Sequence, residues 1–121
     1  MFVNGMLVFL GGGIGSLLRY LVNFTTQMYT YSQFGTLFVN ALGSFLFGFF
    51  FIFARDKTDY FNLFFLVGIL GGFTTFSQFS YDVISLQSES TINSAIYFIS
   101  STLISILLAL IGIVLANRIL K

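Results

Sequence analysis

Gly68-Ile69-Leu70-Gly71-Gly72-Phe73-Thr74-Thr75-Phe76-Ser77-Gln78-Phe79-Ser80 sets paired glycines and several hydroxyls inside an apolar segment of membrane length. In hydrocarbon every backbone N–H and C=O needs an internal partner. A helix is therefore interrupted only where protein or a water-filled path covers the freed groups. The stretch predicts a membrane-crossing helix that breaks near Gly71 to Thr75 and lines something polar, which makes it a candidate ion site.

Outward from that stretch the composition agrees. Of 121 residues 57% are apolar and only 7% charged, far from the quarter or so of charged residues usual in soluble chains. The fold class expected is all-α integral membrane. Cysteine and histidine are both missing, and tryptophan with them, which removes thiol chemistry and the commonest metal ligand and general base and argues against an enzyme. A net charge of +1 spread over scattered residues gives no basic cluster for nucleic acid. The first apolar segment runs on into Arg19 with no basic leader and no small-residue cleavage pattern, so it is expected to be a retained span.

About 20 mainly apolar residues cross the hydrocarbon core, and four windows qualify: roughly 2–24, 34–54, 61–81 and 92–117. The polar separators, Thr25 to Gln33, Arg55 to Asp59 and Asp82 to Thr91, are short, so 1–121 reads as a single four-span membrane domain with both termini on one side. Without proline, kinks must come from glycine or from Ser/Thr hydroxyls competing for backbone groups.

Individual residues carry two readings each. Gly11-Gly12-Gly13 with Gly15 and Ser16 suits close helix packing. Arg19 either snorkels to the interface or supplies charge to an anion vestibule. Asn40, the strongest polar side chain of an uncharged span, is interhelical glue or a donor of two hydrogen bonds to an anion. Phe76 and Phe79, three apart, share a helix face. They pack, or they turn positive ring edges toward a dehydrated anion. Carbonyls freed by the break suit a hard cation. Tyr97, Ser101 and Ser105 at i, i+4, i+8 draw one polar stripe. Their hydroxyls return to the backbone or form a charge-free donor track that an anion can leave quickly.

In order and spacing, Gly11–Tyr20, Gly35–Ser44 around Asn40, and Gly71–Ser80 resemble the signature of the CrcB/Fluc family of fluoride channels, across nearly the full chain. The resemblance implies a channel that passively exports cytoplasmic fluoride and protects against its toxicity. It also implies a multi-pass protein of the cell membrane, built as an antiparallel dimer with two pores and one structural Na+ at the dimer centre. Asn40 matches the family's pore asparagine, and Phe76 and Phe79 its path-lining phenylalanines. Ser77, Tyr97, Ser101 and Ser105 fall at its polar track positions. Gly71 and Thr74 match the residues whose backbone carbonyls hold the Na+, and Arg19 the vestibule arginine. Gln78 departs from the family, which very often has Thr there. Arg55, Lys57, Arg118 and Lys121 would also share one face, with Arg19 toward the other, a bias that normally fixes orientation. The partner expected is therefore either the same chain inserted both ways or an oppositely oriented homologue.

Two other classes compete. A small multidrug-type four-span transporter needs an intramembrane carboxylate, and with Asp82 placed at the end of the third span none is expected. A structural membrane subunit would use glycines and serines only for packing.

Overall fold

The computed structural model describes residues 1–120, the side chain of Asp56 aside; the charge expected from Lys121 lies outside the described residues. Long apolar helices dominate. α1, Phe2–Tyr29, and α2, Ser32–Phe53, are joined by two residues, and a short 3₁₀ turn at Ala54–Asp56 follows α2. The third crossing starts as one α turn, Asp59–Phe61, widens into a π-helix over Asn62–Leu70 and tightens again at Gly71–Phe73; residues 59–73 together are α3. After two extended residues, Thr74 and Thr75, come α4, Phe76–Glu89, and α5, Thr91–Ile119. Four stretches are long and apolar enough to cross a membrane, the third being Asp59–Glu89 as a whole.

Three spans outrun their expected ends. α1 continues to Tyr29 because Thr25 and Thr26 turn their hydroxyls onto the carbonyls of Leu21 and Val22, one turn back, so these polar residues do not stop the helix. α5 begins at Thr91 and reaches Ile119. The third crossing was expected to end at 81; it runs to Glu89. Asp82 is therefore not at a span end but in mid-helix, and it is 1% exposed. The third crossing thus carries a carboxylate buried among the helices.

Small residues set which helices touch. A Cβ on Gly15 would collide with the Ile69 carbonyl of α3, and one on Gly48 with the Ala109 carbonyl of α5. These contacts bring backbone against backbone, the packing available where lipid offers no hydrophobic drive. α1 thus lies on α3, and α2 on α5, while α4 packs on α5. α2 sits innermost, with Val39 and Thr36 fully enclosed. Near the α2–α3 connection Phe50 stacks edge-on against Phe65 at 4.6 Å, beside buried Ala54, Leu66 and Leu70. Most other large apolar side chains face outward, as a chain solvated by lipid requires.

Candidate functional site

The break lies at the two threonines, within the window the sequence marked. Thr74 (φ −80°, ψ 158°) and Thr75 (φ −150°, ψ 120°) are extended, while Gly71 and Gly72 stay helical and no described residue has positive φ. Gly72 serves proximity instead, since a Cβ on it would strike Gly12 of α1, whereas one on Gly71 would meet only ordinary contact. Gly43 of α2 has the same role toward the break itself, since its absent Cβ leaves room for the Thr74 methyl.

Breaking a helix frees its last carbonyls and the next helix's first N–H groups, and side chains from two other helices meet them. Asn40 donates from Nδ2 to the Thr75 carbonyl at 2.9 Å and accepts the Thr75 N–H on Oδ1 at 2.8 Å. Arg19 donates from Nη1 to the Thr74 carbonyl at 3.1 Å. Thr75 caps α4 by accepting the Gln78 N–H on Oγ1 at 3.2 Å, and its hydroxyl lies 3.2 Å from that of Ser77. The sequence left Arg19 between the interface and a vestibule; it points inward, to the break.

Two open concavities flank this point. One, of about 370 Å³, is lined by Asn40, Thr74, Phe76, Phe79, Ser101 and Ser105 among others. The second, about 410 Å³, is lined by Arg19, Asn23, Gln27, Ser77 and Gln78 with part of Thr75. The expected path residues thus divide. Asn40, the phenylalanines and the two serines share the groove, whereas Ser77 joins Arg19 on the other side of the break. Phe76 and Phe79 are neighbours, ring centroids 5.5 Å apart, but unequal: Phe76 is 78% exposed in the single chain and Phe79 only 4%. Tyr97 stands behind Phe79, ring to ring at 5.6 Å. Its hydroxyl donates to Asp82 Oδ2 at 3.2 Å, and Gln78 Nε2 donates to Oδ1 at 3.0 Å.

Asp82, Gln78 and Thr75 are site residues that sequence reasoning missed. The signal was available in part, because Gln78 and Asp82 are four apart and Asp82 follows Phe79 by three, so all lie on adjoining helix positions once α4 is extended. Thr36, on α2, is buried beside the Tyr97 hydroxyl.

The carbonyls assigned to Na+ have the chemistry such an ion needs. Because Thr75 gives its N–H to Asn40, the Gly71 carbonyl loses its in-helix donor, and Gly71 is exposed in the single chain. The Thr74 carbonyl, with one acceptor position taken by Arg19, retains a second. Neutral oxygens at a half-helix C-terminus fit a hard monovalent cation.

A family model described as CrcB-like protein, Camphor Resistance (CrcB), matches residues 6–113. The chain belongs to the CrcB family. Among its CrcB relatives, the Agrobacterium fabrum protein named fluoride-specific ion channel FluC is 40% identical over 122 residues, covering 96% of this chain and 98% of the relative. Proteins of the same name from Thermotoga maritima (38% identical, 88% of this chain and 89% of the relative) and Campylobacter jejuni (40%, 88% and 92%) are similar to it over nearly as much. With its four spans, this CrcB chain is a multi-pass membrane protein.

Proposed function

We propose that this protein is a fluoride-selective channel through which cytoplasmic fluoride leaves down its electrochemical gradient. The observation that carries the reading is the groove in which the Phe76 and Phe79 rings meet the Asn40 amide and the Ser101 and Ser105 hydroxyls beside a broken span. The names of the relatives, ion channels for fluoride, point the same way.

The physical logic is solvent replacement. Fluoride is strongly hydrated, and it sheds water only where donors stand ready. Ring edges, hydroxyls and an amide provide partial positive charge without a full cation to hold the ion. α4 aims its N-terminus at the same place, the helix end that favours an anion. Arg19 in the adjoining concavity raises the local anion concentration. Hydrogen fluoride enters uncharged from acidic surroundings and dissociates in a neutral cytoplasm. The membrane potential then expels the anion at about 2.3 kcal/mol per charge per 100 mV, so no coupled energy source is required.

The groove is open along one side, where a second copy in the opposite orientation, or an oppositely oriented homologue, would close it. A Na+ held by the Gly71 and Thr74 carbonyls of both copies would act there as a structural ion.

The decisive experiment is fluoride efflux from liposomes holding the purified protein, read with a fluoride electrode against chloride. Rapid fluoride loss with chloride retained is expected. A structural subunit gives neither, and nor does a small multidrug-type transporter, which would instead move an organic substrate in exchange for protons. Phe76→Ile should abolish fluoride loss with assembly intact; unchanged flux removes that ring from the path.

A further inference from the structure

We infer that Gln78 is a positioning residue for the anion route, acting through the Asp82 carboxylate on the wall formed by Tyr97 and Phe79. The inference rests on the fluoride-conduction reading and names a residue that reading does not use.

Asp82 is enclosed among α2, α4 and α5, and both its partners are neutral donors. One oxygen takes the Gln78 amide from one turn back along α4, the other the Tyr97 hydroxyl from α5. A buried carboxylate oxygen left without a donor is unstable, so the two bonds together fix the rotation of the carboxylate about its own axis. That fixes where the Tyr97 hydroxyl must lie. The Tyr97 ring in turn backs Phe79 at 5.6 Å, and Phe79 lines the groove beside Ser101. Gln78 itself faces the opposite concavity with Arg19 and Ser77. It stands between that concavity and the acid. Released from Gln78, the carboxylate would turn toward that concavity and carry the Tyr97 hydroxyl with it, loosening one of the two α5 rings, Tyr97 and Phe98, that back Phe79.

The side-chain lengths make this testable. Gln78 is long enough to reach an aspartate across one helical turn. Asparagine at 78 falls a methylene short, and glutamate at 82 returns that methylene. A role of Gln78 in bulk packing alone would not be restored by a change at residue 82.

The test is fluoride efflux from liposomes reconstituted with the full chain, beginning with the unaltered protein. If that protein passes no fluoride, the conduction reading falls and this inference with it. Where it conducts, Gln78→Asn should cut efflux about tenfold, the scale of one unpaired acceptor on a charged group. The double variant Q78N/D82E should regain most of the loss. Gln78→Met keeps length and volume without the donor; it should assemble normally and lose flux alike, yet cause no further loss once Asp82→Asn is present. Q78N or Q78M conducting like the unaltered protein overturns the inference, as does a Q78N/D82E variant no better than Q78N.

Discussion

At the scale of single residues, Asn40 holds the break from outside. It satisfies one donor and one acceptor of the same residue, Thr75. Replacing Asn40 by Ala orphans both groups at about 1–3 kcal/mol each, so thermal unfolding of the detergent-solubilised protein should report a loss of about 2–6 kcal/mol, together with loss of fluoride efflux. Ser101→Ala and Ser105→Ala should behave differently, slowing efflux while shifting the unfolding temperature little. Asn40, the phenylalanines and the serines could be picked from the sequence because polar or paired-aromatic groups are conspicuous in an apolar span. Asp82 was misread for the opposite reason. Polar neighbours such as Ser85 and Gln87 look like the water interface, whereas the helix carries them onward to Glu89.

Among the elements, contact is set by glycines whose roles differ although the sequence presents them alike. Gly15 and Gly48 touch a facing carbonyl, while Gly13 has open space around it. Gly15→Ala should therefore force α1 from α3 and destabilise the protein by about 1–3 kcal/mol, the usual cost of overpacking. Gly13→Ala should leave the unfolding temperature and the efflux unchanged. Helix number, approximate span positions and the window of the break followed from apolar length and from glycine and threonine content. The π-helix of Asn62–Leu70 did not, since hydrogen-bond register inside the apolar run from Leu63 to Leu70 leaves no mark on hydropathy. Nor could the sequence divide the work within Gly71–Thr75, where Gly72 packs on α1 and the threonines break the helix.

For the whole molecule, the direction of the helices gathers charge at one end. α2 finishes and α3 starts where α5 finishes, so Arg55, Lys57 and Arg118 share a side of the membrane. Lys57 and Arg55 lie over the Phe53 and Phe51 rings at 4.7 and 6.0 Å. This bias favours one orientation, yet closing the groove with a second copy calls for two. The native chain contains no cysteine, so Ser88→Cys can be labelled from either side of intact vesicles. Labelling from both sides is expected if one gene product supplies both halves; labelling from one side alone assigns the other half to a different subunit. The bend itself has a bearing on how such a molecule is made. Thr74 and Thr75 adopt angles open to any L-residue, and Asn40 and Arg19, from earlier segments, complete their bonding. Residues 59–89 synthesised as a lone peptide in micelles should thus heal into one continuous rod. In the cell, the discontinuity would arise only after the first two hydrophobic segments have been laid down beside the third, so biogenesis in chain order prepares Arg19 and Asn40 before the helix that needs them emerges from the translocation machinery.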